Sequence, residues 1–144
     1  MKHPIQSLEV SCFIHATEDE VKVAGAIANE LQISSEPSRE RLGGHFGNEV
    51  VHLRYHLTGE EAWKAFRSIV DRLEGDNLHT LAQGLDSAID EHSALYLRFS
   101  KQDLLMGKFA FSARDPIRVR VKPKQFMIHG NVTRFYAQLL ERSS

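Results

Sequence analysis

Pro116-Ile117-Arg118-Val119-Arg120-Val121-Lys122-Pro123-Lys124 sorts two chemistries onto two sides of one extended segment. Strand side chains alternate between faces, so Ile117, Val119 and Val121 fall on one side and Arg118, Arg120, Lys122 and Lys124 on the other. One side is built for burial. The other is a row of cations, suited to phosphates or simply to solvent. A one-residue slip would bury the cations and expose the aliphatics, so this pattern fixes its own register.

The residues preceding this strand continue the alternation. Ala94 to Phe99 puts Leu95, Leu97 and Phe99 inward and Arg98 outward. Lys101 to Met106 reads as a short helical turn ending at Gly107, and Lys108 to Ser112 as a short strand. Asp115-Pro116 turns the chain into the basic strand. After it, the spacing of Val132, Phe135, Tyr136, Leu139 and Leu140 predicts a closing helix from about Asn131 to Glu141.

Nearer the start, Ile5 to Ile14 reads as a strand, with Leu8, Val10, Cys12 and Ile14 on one side and Glu9 and Ser11 on the other. Thr17-Glu18-Asp19-Glu20 matches a capping box and opens a helix with Val21, Ala24, Ala28 and Leu31 as its stripe. Pro37 to Leu42 and Val50 to Leu57 are strands flanking a glycine-rich loop, Gly43-Gly44-His45-Phe46-Gly47-Asn48. Thr58-Gly59-Glu60-Glu61 is a second capping box, before a helix carrying Trp63, Phe66, Ile69, Val70 and Leu73. Asn77 to Ile89 reads as a further helix, weakened by Gly84. The expected order is β-α-β-β-α-α-β-β-β-α. Strands joined by short turns imply an α+β fold, a mostly antiparallel sheet with helices packed on one face.

Such a sheet leaves a second face open. On it the alternation places His52, Arg54 and His56 of one strand, Arg98 of another, and Arg118, Arg120 and Lys122 of a third. A length of 144 residues, 42% hydrophobic and 26% charged, suits one domain spanning residues 1–144. Net charge is -1, yet Leu95 to Lys124 carries eight basic residues (Arg98, Lys101, Lys108, Arg114, Arg118, Arg120, Lys122, Lys124) against Asp103 and Asp115. Thr58 to His92 reverses the balance. This segregation fits a basic sheet face that orients an anionic partner, and fits solvated faces equally. The lone Cys12 sits in an apolar run and excludes an internal disulfide. With no signal-like start and no apolar run long enough to cross a bilayer, a cytoplasmic protein without a membrane partner is expected.

Motifs for catalysis are absent from the sequence: no nucleophile elbow, phosphate loop or dinucleotide fingerprint occurs, and the glycine-rich loop lacks a phosphate loop's spacing and lysine. No cofactor is implied. His52 and His56 have the interval of a helical zinc site, but on a strand they stand about 13 Å apart, so no metal is expected there. In the loop, Arg39 and Arg41 lead in, His45 and Asn48 supply donors at the tip, and the glycines permit close backbone approach. The same glycines would serve a plain hairpin. Lys101 and Lys108 suit either phosphate contact or solubility.

Four blocks carry a family resemblance: Val10-Ser11-Cys12-Phe13-Ile14-His15-Ala16-Thr17-Glu18-Asp19; Glu40-Arg41-Leu42-Gly43-Gly44-His45-Phe46-Gly47-Asn48; Leu95-Tyr96-Leu97-Arg98-Phe99-Ser100-Lys101-Gln102; and Ile117-Arg118-Val119-Arg120-Val121-Lys122. In this order they resemble a small archaeal family described as RNA-binding proteins or predicted exosome subunits, similar in fold to the large-subunit ribosomal protein that contacts 5S RNA. The resemblance implies an antiparallel sheet flanked by helices, RNA and RNA-processing proteins as partners, and no known catalytic residues. The stretch from Trp63 to Asp90 adds little to it.

The expected protein is therefore a non-catalytic RNA-binding domain, monomeric or homodimeric. Arg39, Arg41, Arg54, Arg98, Lys101, Lys108, Arg118, Arg120, Lys122 and Lys124 would meet phosphates, and His45, Asn48 and His52 riboses or bases. Of the aromatics, only Tyr55, Tyr96, Phe46 and Phe109 are candidates for base stacking, and Tyr55 falls on the inward phase. Recognition of structured RNA by shape and backbone is thus expected. A protein-interaction subunit using the same face, or a small hydrolase, is the alternative.

Overall fold

The computed structural model describes residues 3–43, 48–73, 75–125 and 129–141. Five strands, β1 (Ile5–Ile14), β2 (Ser38–Leu42), β3 (Val50–Thr58), β4 (Leu95–Phe99) and β5 (Ile117–Pro123), form one sheet in the order β2-β3-β1-β5-β4. Every neighbouring pair is antiparallel. The helices are α1 (Glu20–Glu30), α2 (Gly59–Arg72), α3 (Gly75–Gln83), α4 (Leu85–Ala88), α5 (Lys101–Leu105) and α6 (His129–Leu140). The α+β class read from the sequence holds.

Period-two burial explains why the helices gather on one side. Leu8, Val10, Cys12 and Ile14 of β1, Leu53, Tyr55 and Leu57 of β3, Leu95, Leu97 and Phe99 of β4, and Ile117, Val119 and Val121 of β5 are all buried. Against them α2 lays Ala62, Ala65, Phe66, Ile69 and Val70, and α6 lays Val132, Tyr136 and Leu140 at four-residue intervals. The Tyr136 hydroxyl, deep in this core, donates to the carbonyls of Ser93 (2.7 Å) and Val121 (3.2 Å), which supplies its polar end with partners.

Several local expectations shift. Lys108 to Ser112 is not a strand among the described residues; a single bridge, Phe111 to Phe99, remains, with the Ser100 amide donating to the Ala110 carbonyl (2.8 Å) and the Ser112 amide to the Arg98 carbonyl (3.0 Å), while the Phe109 and Phe111 rings pack on Phe99 at 5.2 and 5.3 Å. The helix expected from Asn77 breaks at Gly84 into α3 and α4. In α1 the cap is Asp19 rather than Thr17, its carboxylate accepting from the Lys22 amide at 3.1 Å. The helix therefore begins at Glu20 with Val23, Ala24 and Ile27 inward, and Val21 lies exposed.

The second capping box does not form either. Thr58 makes no side-chain cap, and Glu61 instead accepts from the backbone amides of Ser34 (2.8 Å) and Ser35 (2.9 Å) and from both serine hydroxyls. These bonds, the Ser35 hydroxyl foremost, outweigh partial burial and hold the Glu61 carboxyl below its ordinary range. A depressed folded pKa contributes stability above the unfolded value, about 4.3, and loses it as pH falls through the folded one. Glu61→Gln should therefore cost about 1 kcal/mol at neutral pH, small because the serines are exposed. Thermal unfolding of both proteins should show this gap closing below about pH 4; a gap that is constant with pH would refute it.

Candidate nucleic-acid interface

The open face is assembled in rows, because directly opposed residues of antiparallel strands point the same way. One row runs Ser38, Arg54, Ser11, Arg118, Arg98 from β2 across to β4. Beside it lies His56, Glu9, Arg120, Tyr96, and then Thr58, Ser7, Lys122. On the other flank of the arginine row stand Glu40, His52 and Phe13. The strands thus bring Arg54, Arg98, Arg118, Arg120 and Lys122 onto one face with the carboxylates Glu9 and Glu40.

Glu9 anchors the middle of this field, 3.3 Å from Arg54 Nε and 3.6 Å from His56 Nδ1. Among the described residues no ion pair engages Arg98, Arg118, Arg120 or Lys122. Arg98 and Arg118 are directly opposed like charges, an arrangement that costs stability until an anion relieves it. Arg120 is half-buried, its guanidinium 5.8 Å from the Tyr96 ring centroid and its Nε without a hydrogen-bond partner among the described residues. The Arg120 side chain also lines a depression of about 210 Å³ together with Ser7, Glu9, His56, Thr58 and Lys122. Hydroxyls and cations around a concavity form a surface fitted to an anionic oxygen.

Other residues named from the sequence lie elsewhere. Arg39 and Arg41 stand opposite Leu53 and Val51, hence on the helix-bearing side, where Arg39 reaches Glu20 (2.7 Å) and Arg41 reaches Glu49 (2.8 Å). Lys108 is exposed and follows Gly107, whose carbonyl accepts from Arg72 of α2, so it too belongs to the helical layer. Asn48 is exposed ahead of β3, and Lys124 is exposed just past β5, its amide donating to the Pro4 carbonyl at 2.9 Å. His45, with most of the glycine-rich loop, lies outside the described residues. His52 and His56 share the strand β3, two rows apart, beside Phe13 and Glu9 respectively.

Lys101 is the clearest departure, for only 8% of it is exposed. Its Nζ donates to the Phe13 carbonyl (2.5 Å), Asp115 Oδ2 (2.8 Å) and Glu18 Oε1 (3.0 Å). Extending the β1–β5 register two residues beyond Ser11 and Arg118 would set Phe13 against Pro116, which has no N–H to give. The lysine ammonium supplies the missing donor. Burial works to lower its pKa, but bonds and charges from Asp115 and Glu18 prevail and raise it. Asp115 shows the converse: burial pushes up, while Lys101 and then His15, 3.0 Å away, hold the carboxyl below its usual range. His15, Glu18 and Asp115 also have metal-ligand atoms within 4.8 Å of one another, yet the Lys101 charge already bonds both carboxylates and stands in a cation's place. Nearby Cys12 is buried, and desolvation pushes its thiol up to about 12, leaving it without nucleophilic character.

Among the aromatics, Tyr55 is buried and donates to the Ala24 carbonyl, and Phe109 is buried, so neither reaches the open face. Phe46 lies outside the described residues. Tyr96 does reach it, and so does Phe13, which sequence reasoning passed over although it shares the outward phase of Glu9 and Ser11.

Comparison with known proteins gives this surface a context. A family model described as RNA binding matches residues 7–123, a span from near the start of β1 to the end of β5. An uncharacterized protein of Methanocaldococcus jannaschii is 32% identical over 113 residues, 72% of this chain and 74% of that protein. An RNA-binding protein of Pyrococcus abyssi is 27% identical over 130 residues, 83% of this chain and 82% of its own length. The crystal structure of a DUF54 protein from Archaeoglobus fulgidus matches with a TM-score of 0.80 at 28% identity, over 94% of this chain and 99% of that one. No helix among the described residues is long and apolar enough to cross a membrane. With that family model covering residues 7–123, from within β1 to the end of β5, the chain belongs to this RNA-binding family.

Proposed function

We propose that residues 1–144 act as one non-catalytic RNA-binding unit that holds structured RNA on the open sheet face. The glycine-rich loop between β2 and β3 would add a second contact, and the setting would be cytoplasmic RNA processing, as an accessory of the exosome. The observation that carries the reading is the set of four strand-borne cations, Arg98, Arg118, Arg120 and Lys122, that share a face and lack carboxylate partners among the described residues. Protein stability gives no reason for opposing Arg98 to Arg118; a polyanion does. The non-catalytic part rests on the His15, Glu18 and Asp115 group being occupied by Lys101.

Neutralising four phosphates gives a log-log salt slope of about −2.8 to −3.6. Affinity for an RNA hairpin should then fall about 50- to 150-fold between about 50 and 200 mM salt. RNA recovered from the same mixtures, with and without magnesium, should be intact. Affinity indifferent to salt would refute the binding mode, and metal-dependent cleavage would refute the non-catalytic assignment.

A further inference from the structure

We infer that Phe13 and His52 form a base-stacking platform, so that the open face takes an unpaired stretch of RNA next to whatever helix the cations hold. This rests on the RNA-binding reading and specifies which part of an RNA the face reads. Phe13 is 38% exposed, at an outward position where β1 otherwise carries Ser7, Glu9 and Ser11. It plays no part in the core. Its ring stacks on that of His52, directly opposite on β3, with centroids 4.7 Å apart and planes 20° from parallel. Stacked on each other with nearly parallel planes, the two rings leave an outer π-face for a base to extend the stack, and such stacking is how sequence-tolerant single-strand binding is achieved.

The surroundings supply the other half of a nucleotide site. Arg54, Ser11 and Arg118 form the next row, two residues along the strands and about 7 Å away. A base lying on Phe13 would direct its backbone toward these guanidinium groups. Farther along, Tyr96 lies in the row of Arg120, whose guanidinium sits over its ring, and gives the segment a second stacking position. The Phe13 end is also held firmly, because the buried Lys101 ammonium donates to the Phe13 carbonyl where Pro116 cannot. Bases inside a duplex are already stacked and cannot reach such a platform, so the inference requires discrimination by strandedness.

The test uses Phe13→Leu, which keeps an apolar side chain of similar bulk but removes the π-face, and Phe13→Tyr, which retains it. Affinities are measured by fluorescence anisotropy for a single-stranded RNA and for a blunt duplex of the same sequence, with folding verified by circular dichroism. Phe13→Leu should weaken the single strand about 5- to 150-fold and leave the duplex unchanged, while Phe13→Tyr should match the parent on both. Equal losses on single strand and duplex would overturn the inference, since the ring would then serve the sheet alone. So would an unchanged single-strand affinity in Phe13→Leu. In that case the charge variant Arg118→Gln/Arg120→Gln/Lys122→Gln separates the two readings: if it loses RNA, only the platform fails, and if it too binds normally, the RNA reading of this face fails with it.

Discussion

Replacing Lys101 with methionine should lower the free energy of unfolding by about 2 to 3 kcal/mol, a fall in Tm of about 5 to 10 °C for a chain of this size. Methionine fills the volume but leaves the Phe13 carbonyl without its donor and sets Glu18 against Asp115 with no charge between them. Breaking a fully buried pair costs more; here both carboxylates are partly exposed, and solvent screens part of the loss. The Asp115 carboxyl should rise back toward the ordinary range, about 3.9, once its main stabilising partner is gone. Urea unfolding measures the first effect and NMR titration the second. An unchanged urea midpoint would mean that the lysine is a solvated residue after all.

Lys101 also shows where sequence reasoning ends. In the sequence it is one more cation in a basic stretch, and nothing local distinguishes it from Lys108. Its burial follows from a coincidence between distant segments: β1 runs three residues past its last pair with β5, and the residue that would have faced Phe13 is a proline. The side of the sheet on which Arg39 and Arg41 lie is hidden in the sequence for a related reason. Ser38-Arg39-Glu40-Arg41-Leu42 is an edge strand exposed throughout, so no hydrophobic alternation reveals which way its arginines point. Only its register with β3 assigns them to the helix side.

What was legible rested on period two. Ile117, Val119 and Val121, and Leu53, Tyr55 and Leu57, alternate with polar residues, and one buried face then dictates the other. That logic placed Arg54, Arg98, Arg118, Arg120 and Lys122 together before any contact was known. Phe13 obeys the same phase, yet an aromatic among outward polar positions does not by its type announce an exposed ring. Thr17 and Thr58 fit the capping-box pattern, yet Asp19 caps α1 and Glu61 is held by Ser34 and Ser35, partners that a local pattern does not contain.

The cation row makes the strongest claim about function, and its removal has the largest expected effect on binding. Changing Arg118, Arg120 and Lys122 together to glutamine keeps the core stripe of β5 and the outward polarity, so the fold should persist. If each cation neutralises one phosphate, the variant's log-log salt slope should be shallower by about 2.1 to 2.7, and its affinity about 100- to 500-fold weaker at about 0.1 M salt. A protein partner of acidic surface would produce salt dependence as well, but toward that protein and not toward RNA. The decisive measurement is therefore the salt-dependent affinity of parent and triple variant for one structured RNA. A folded variant with a shallower slope and weaker binding that converges on the parent as salt rises is the expected result; a folded variant that binds RNA like the parent at every salt concentration would rule out the cation row as the RNA contact.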